Sequence, residues 1–411
     1  MVVHTQSGKI IVVSELYYPE ETSTGYFITK IAEGLAEKFS VTVLCVQPTY
    51  SLRGVKAPQY EQLNGVNIYR CMATALNKDN LLFKLVNALT ISFSIFFNLL
   101  FRLSSKDRVL VVTNPPLLPY LTAVACLIKR VGYFLLVHDV YPDALVAARI
   151  IKPGSILARL GGWFSNKLYR CSDQIVVLGR DMRELILKKI GTSSADKISI
   201  IPNWSDIKDV FPLPRIDNPL LTKMKFTEKW VVLYAGNMGR THGLENIVRA
   251  AKIISLLDNT IQFILCGTGV KRLWLEATVK KEGIPNITLL PSQPRSELNH
   301  LLNACDIALI SFMPGMAGVS VPSRMYNVLA AGKPIIAVVD PHSELALVVA
   351  EEGIGWVASP EHPKSIAESI IQAKTCRQRM AVMGHKARAV AEEKYTLRHV
   401  VEAYQELFDN E

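Results

Sequence analysis

Residues 230–256, WVVLYAGNMGRTHGLENIVRAAKIISL, decide the fold. Trp230 to Ala235 is a continuous apolar run, the pattern of a strand buried on both faces of a parallel sheet. Gly236 then opens a polar, glycine-bearing loop, and Leu244 to Leu256 carries apolar residues at helical spacing. A buried strand, a glycine turn and a helix are the unit from which doubly wound α/β sheets are built. The start of the chain repeats it. Lys9 to Val13, KIIVV, is a second buried strand, followed by the polar loop SELYYPEETSTG. A helix is predicted from Tyr26 to Phe39, with Ile28, Ile31, Ala32 and Leu35 on one face. The next strand is predicted at Val41–Cys45.

Working outward, further strands are predicted at Arg108–Val112, Tyr133–Val137 and Gln174–Leu178. Arg180 opens a helix, and Lys197–Ile201 reads as a short edge strand. Residues 202–226, PNWSDIKDVFPLPRIDNPLLTKMKF, hold four prolines and no clear period, so they read as an inter-domain linker with an approach segment. After Trp230 the alternation resumes, with strands at Ile261–Cys266, Ile287–Leu290, Ile307–Ile310, Pro334–Val339 and Gly355–Val357, and helix from about residue 364. The 411 residues exceed one ordinary core and suit two domains. The expected division is 1–205, 206–393 and a C-terminal helix over 394–411 that packs back toward the N-terminal domain.

Lys and Arg outnumber Asp and Glu by 46 to 36, a formal charge of +10. Such an excess suits anionic partners or a generally basic soluble surface. No nucleic-acid module or clustered basic stripe is visible, which argues against a nucleic-acid binder. Seven widely spaced cysteines without a CxxC pair argue against a disulfide framework and a zinc site, and most lie in apolar runs that read as buried thiols. A reducing cytoplasm fits. The N-terminal residues read as carrying no cleavable signal. Leu85 to Phe101, LVNALTISFSIFFNLLF, is uncharged over 17 residues, at the lower limit for crossing a bilayer. Asn87, Thr90, Ser92, Ser94 and Asn98 interrupt it, and Lys84 and Arg102 flank it. A buried core helix, a helix lying in a membrane surface and a span are all compatible with that pattern.

Open α/β sheets bind ligands beyond the carboxyl ends of their strands. Gly25, at the end of the first loop, lets backbone approach a phosphate there. His138 follows the strand YFLLV, positioned for hydrogen bonding to a sugar hydroxyl or for proton transfer. Asp139 and Asp143 serve either to orient it or as helix caps. Gly236, Asn237, Gly239, Arg240 and His242 form the turn that opens the second domain. Two glycines there suit a diphosphate, and Arg240 adds a fixed cation where a leaving diphosphate gains charge. Gly267 and Gly269 make a bare GxG at a strand end. The loop from Pro314 to Arg324 leads into MYNVLAAGKP; its backbone at Gly318, Val319, Ser320, Ser323 and Arg324, with the helix start, suits a diphosphate, Asn327 one turn in is placed to reach a ribose hydroxyl, and AAGKP also reads as a plain helix C-cap. No Asp-x-Asp occurs and no cluster has metal-ligand spacing, so no metal is expected.

Taken in order, YYPEETSTG, TNPP (113–116), VHDVYPD, IPNW (201–204), YAGNMGRTHGLE, CGTG and VPSRMYNVLAAGKPIIA make the chain resemble the family 4 retaining glycosyltransferases of GT-B fold. Within them it is similar to the bacterial surface-polysaccharide branch that includes WcaI and WbuB. The resemblance implies two facing Rossmann-like domains with parallel sheets and a cleft between them. It implies a nucleotide-sugar donor, UDP-linked before GDP-linked, in the C-terminal domain and an acceptor on the N-terminal one. The nucleotide-sugar is a substrate, and no cofactor is implied. His138 matches the family's cleft histidine and Gly25 its first-loop glycine. Asn327 and Val319 stand where the wider family has two glutamates. Asn237 and His242 stand about where it has a basic pair, so Arg240, with Arg324, is expected to take over the diphosphate. The branch further implies an acceptor saccharide on polyprenyl diphosphate and a cytoplasmic enzyme resting on the inner face of the plasma membrane. Two other readings share the fold: a nucleotide-sugar 2-epimerase, which needs carboxylates in the cleft, and a non-catalytic descendant. A nicotinamide-dependent dehydrogenase lacks its GxGxxG after the first strand.

Overall fold

The computed structural model describes residues 8–49, 52–77 and 81–409. Residues 1–7, on which part of the no-signal reading falls, and the last two residues of the C-terminal helix expectation lie outside them. The chain is mixed α/β, with two mostly parallel sheets in two compact units. Unit 1 holds residues up to 146, 151–202 and those from 398 on; unit 2 holds 147–150 and 203–397.

Unit 1 runs β1 (Ile10–Val13), α1 (Ser23–Ala36), β2 (Val41–Val46), β3 (Tyr60–Leu63), β4 (Val66–Cys71), α2 (Leu81–Arg102), β5 (Arg108–Val112), α3 (Leu118–Lys129), β6 (Tyr133–Val137), α4 (Asp143–Ala147), α5 (Ile156–Cys171), β7 (Gln174–Val177), α6 (Arg180–Ile190) and β8 (Ile198–Ile200). The strand order is β3-β4-β2-β1-β5-β6-β7-β8, all parallel except β3. Strands β1 and β2 are buried at every position, which is why they read as unbroken apolar runs. The β3–β4 hairpin was not read from the sequence. Its turn is Asn64-Gly65, both at positive φ (+48° and +80°), the pairing that a two-residue hairpin turn demands.

Helix α1 starts at Ser23, three residues before the expected Tyr26. The Thr22 hydroxyl accepts from the Gly25 amide at 3.3 Å and caps the helix, so Gly25 lies in its first turn rather than in the loop.

Unit 2 contains α7 (Pro219–Met224), β9 (Trp230–Ala235), α8 (Leu244–Leu257), β10 (Ile261–Cys266), α9 (Arg272–Glu282), β11 (Ile287–Leu290), α10 (Leu298–Asn303), β12 (Ile307–Ser311), α11 (Arg324–Ala330), β13 (Ile335–Val338), α12 (Glu344–Glu351), β14 (Gly355–Ala358), α13 (Pro363–Thr375) and α14 (Arg377–Lys394). Its six strands are parallel in the order β11-β10-β9-β12-β13-β14. The segment read as a linker is an integral layer of this unit. Trp204 and Val210 are buried, the Leu213 amide donates to Asn303 Oδ1 at 2.9 Å, and Arg215 pairs with Asp306 at 3.3 Å. Asn218 caps α7 with Pro219 at its first position. Proline breaks the period without preventing packing.

The last helix, α15 (Leu397–Asp409), belongs almost wholly to unit 1. There Phe408 stacks on Phe134 with ring centroids 4.5 Å apart, its carbonyl accepts from Arg108 at 2.7 Å, and Val401 lies against Gly34. Five of the seven cysteines are buried; Cys171 is exposed and Cys376 half-buried.

Helix α2 contains the ambiguous 85–101 segment, and one of its faces is core. Asn87, Ile91, Ile95 and Leu99, four residues apart, are buried, and the helix lies against β2 and β4. Its polar interruptions serve the protein. Asn87 accepts from the Leu76 amide at 3.0 Å and donates to the Leu76 carbonyl at 2.9 Å, and Thr90 meets Thr74 at 2.7 Å. The opposite face carries Leu85, Leu89, Phe93, Phe97 and Phe101, all exposed. Truncating the inner face therefore opens a cavity, while truncating the outer face does not. Ile95→Ala should cost roughly 2–5 kcal/mol in urea unfolding, and Phe93→Ala less than about 0.5 kcal/mol. Equal costs would refute this orientation.

Candidate functional site

In an open parallel sheet the strand order reverses at one point, and the loops that leave the two flanking strands there form the binding crevice. In unit 2 that point lies between β9 and β12; in unit 1 it lies between β1 and β5.

The loop after β9 in unit 2 is fastened on both sides. Toward β10, the Gly236 amide donates to the Cys266 carbonyl at 2.9 Å, and the Met238 amide to the Thr268 carbonyl at 2.7 Å. Gly267 (φ +147°) and Gly269 (φ +143°) permit this closeness. A Cβ at Gly267 would overlap the Gly236 carbonyl oxygen, and one at Gly269 would stand 2.6 Å from Asn237 Oδ1. Toward β12, the Met313 amide donates to the Thr241 carbonyl at 2.7 Å, and Gly243 approaches Ser311, whose buried hydroxyl has no partner among the described residues. Thus 236–243, 267–271 and 311–313 form one backbone-knit rim at the strand ends.

The cation beside this rim is Arg324. Its guanidinium lies over the Tyr234 ring at 4.7 Å, and a Cβ at Gly236 would stand 3.0 Å from its Cζ. Its Nη1 is buried without a hydrogen-bond partner among the described residues. A buried charged N–H left unpaired is costly, and an anionic oxygen would satisfy it. Tyr234 is itself fixed, its hydroxyl donating to the Asn237 carbonyl at 2.6 Å.

His242 is buried, and burial together with the cations of Arg324 and Lys271 holds its pKa well below the usual histidine value. It is a neutral imidazole, so position 242 brings no charge to the rim. Lys271 is neutralised by Glu245 at 2.7 Å. Arg240 lies exposed at the loop tip, with no ion pair or hydrogen bond from its side chain among the described residues. Sequence order placed Arg240 foremost; the fold brings Arg324, some 80 residues on, to the glycine turn.

In the loop before α11, Asp340 Oδ2 accepts from the amides of Gly315 at 2.8 Å and Ala317 at 3.4 Å. Gly318 (φ +74°) is buried, the Val319 side chain packs into the core, and Ser320 and Ser323 are half-buried. Ser323 precedes α11 without a side-chain cap bond. Asn327 accepts from the Asp206 amide at 3.4 Å, so its carbonyl oxygen is engaged within the protein.

In unit 1, Gly25 has the Glu20 carbonyl against it where a Cβ would sit, so glycine there lets the loop after β1 fold back on α1. His138 leaves β6 half-buried. Its amide and that of Asp139 both donate to Thr113 Oγ1, at 3.1 and 3.3 Å. Thr113, at the end of β5, therefore positions the histidine backbone; the sequence offered only its place in TNPP. The His138 Nε2 is buried without a partner among the described residues, and burial lowers the pKa to about 4. The ring is neutral at physiological pH. Asp143 is held by Lys189 at 2.7 Å, as a structural pair.

Comparison with known proteins follows this division. The family model described as glycosyl transferases group 1 matches residues 222–390, and the glycosyl transferase 4-like domain matches residues 24–204. The chain is 32% identical to the probable glycosyltransferase WbjE of Pseudomonas aeruginosa, over 95% of this chain and 94% of that one. It is 26% identical to the putative colanic acid biosynthesis glycosyl transferase WcaI of Escherichia coli, over 96% and 98%. Among solved structures, HepE of Anabaena, crystallised with UDP and with UDP-glucose, superposes with a TM-score of 0.74 at 14% identity, covering 98% of this chain and 100% of that one. WaaG, a glycosyltransferase involved in lipopolysaccharide biosynthesis, does so with a TM-score of 0.68 at 14% identity, covering 97% and 99%.

Two outcomes test this geometry. Gly267→Ala should lower the melting temperature and loosen the rim, seen as faster amide exchange at Gly236 and Met238; unchanged exchange would refute the interlock. Because the folded His138 has its pKa lowered from 6.5 to about 4, the unfolded chain takes up its proton first as pH falls. The contribution is intact above pH 6.5 and declines toward pH 4. His138→Asn should therefore lose less unfolding free energy than wild type between about pH 7 and about pH 5. Parallel losses would place the histidine in water.

Proposed function

The chain belongs to the family 4 glycosyltransferases of GT-B fold, of the surface-polysaccharide kind, and from that premise we propose that it moves a sugar from a nucleotide-sugar onto a lipid-borne saccharide. The donor is a UDP-sugar before a GDP-sugar, because HepE, which shares the fold, was crystallised with UDP-glucose. The acceptor is a saccharide on polyprenyl diphosphate, met at the cytoplasmic face of the plasma membrane. The anomeric configuration is retained.

The observation that carries this reading is the unpaired, buried Nη1 of Arg324 beside the glycine rim. As the glycosidic C–O bond breaks, its electron pair stays on the departing nucleoside diphosphate. A guanidinium already desolvated and held by Tyr234 stabilises that charge more in the transition state than in the ground state. Arg240 adds a second cation from the exposed loop tip. The acceptor oxygen forms the new bond on the face the diphosphate leaves, and its proton passes to a departing phosphate oxygen. His138 serves the transferred sugar as a hydrogen-bond partner. Asp139 is assigned to the same group of contacts.

Thermal unfolding with UDP, GDP, ADP and NAD tests the donor class, since a ligand of the folded state alone raises the melting temperature. UDP or GDP should raise it and NAD should not; no shift with any nucleoside diphosphate would overturn the proposal. Arg324→Ala and His138→Ala should each lower sugar transfer by roughly 100- to 1,000-fold, and Arg240→Ala by about 10-fold, with the fold intact. Wild-type rates in the first two would remove them from the site.

A further inference from the structure

We infer that the outer faces of α2, α3 and α5 form one docking surface for an anionic lipid bilayer. The inference deepens the proposed lipid-borne acceptor and rests on that reading only in giving the enzyme a reason to meet a membrane. Its own argument is the distribution of apolar and charged groups over unit 1.

The three helices are neighbours. Each crosses between parallel strands in the same direction along the sheet, β4 to β5, β5 to β6 and β6 to β7, and right-handed crossovers place all three on one face. Helix α2 packs on α3, and α3 on α5. Helices α1 and α15 occupy the other face.

Surface helices normally turn polar residues to water. Here α2 does the reverse: its asparagines, Thr90 and Ser92 bond within the protein, and Leu89, Phe93, Phe97 and Phe101 are exposed. Helix α3 adds Val124, Leu127 and Ile128. Helix α5, which the sequence had not singled out, adds Ile156, Leu157, Leu160, Trp163 and Phe164, all more than half exposed. Together the three helices expose fifteen large apolar side chains, on the order of 1,000 Å², against the ~300–600 Å² of a typical monomer's largest patch.

The charge identifies the occupant. None of the three helices contains Asp or Glu, and together they carry Lys84, Arg102, Lys129, Arg159, Lys167 and Arg170. Residues 81–172 hold eleven Lys and Arg against three Asp and Glu, so this stretch supplies +8 of the chain's +10. Two of those acids are engaged internally: Asp107 accepts from the Ser104 amide, and Asp143 is bound by Lys189. A second copy of this chain would present the same cations and repel them; anionic headgroups attract them while the acyl region takes the aromatic rings. Lys167 stands 5.8 Å from the Trp163 ring, pairing an interfacial aromatic with a cation.

The test is co-sedimentation of the full chain with vesicles of phosphatidylglycerol and phosphatidylethanolamine, and with vesicles of phosphatidylcholine. Wild type should pellet with the first and only weakly with the second. The pairs Phe93→Ser with Phe97→Ser, and Leu157→Ser with Phe164→Ser, should each raise the lipid needed for half-binding at least tenfold. Lys84→Glu with Lys167→Glu should weaken binding to the anionic vesicles alone. A retained thermal shift with UDP or GDP shows that each variant is folded. Vesicle binding unchanged by both serine pairs would overturn the surface. So would wild type that ignores vesicles but dimerises through Phe93 and Phe97. Lost vesicle binding with intact transfer to a detergent-solubilised acceptor supports the docking surface. Vesicle binding that needs both serine-pair faces, without any sugar transfer, supports it too and overturns only the transferase reading.

Discussion

A parallel strand pairs with its neighbour only after the chain has crossed back over a face of the sheet. Both units are built under that constraint. It covers the sheet faces with helices, and so the strands are apolar at nearly every position. Within each unit it sends the carboxyl ends of the parallel strands to one edge: in unit 2 the loops after β9, β10 and β12 interlock there, and in unit 1 His138 leaves β6 there. It also puts α2, α3 and α5 on one face, because their crossovers run in the same direction.

The chemistry at the strand ends depends on desolvation. Arg324 is held over Tyr234 and against Gly236, and it is the charge that burial leaves short of a partner. The same burial, with Arg324 nearby, denies charge to His242. One cation and one neutral imidazole then differ in what they offer: the first a charge short of a partner, the second hydrogen bonds alone. His138 is made neutral by burial alone and is held by backbone bonds to Thr113 rather than by a carboxylate. Lys271 lies at the rim, but Glu245 cancels it. At such a rim the charge left available is set by what each cation is paired with and how far it is buried, rather than by chain order.

Helix α2 shows how one apolar segment meets two requirements. Asn87, Ile91, Ile95 and Leu99 repeat every four residues, and so do Leu85, Leu89, Phe93, Phe97 and Phe101. A helix apolar on both sides is expected in a core or a membrane. Its inner ladder seals the sheet, and its asparagine and threonine side chains tie down residues 74–76. The outer ladder is left exposed by the described residues.

The sequence by itself determined the strands, since double burial writes them as continuous apolar runs, and the glycine turns, since only glycine permits the positive φ and close approach at 236, 267 and 269. It also carried signals that passed unread: Asn64-Gly65 for the hairpin and Asn218-Pro219 for α7. It placed Gly25 in a loop because the Thr22 cap moves the helix start by only three residues. It could not distinguish the cation at 240 from the one at 324, or choose which side of α2 faces the sheet. Those are decided by contacts between segments far apart in the chain, such as Arg324 with Tyr234 and Asn87 with Leu76. Local periodicity records that a side chain is apolar or charged; only the packed tertiary structure fixes which neighbour it finds.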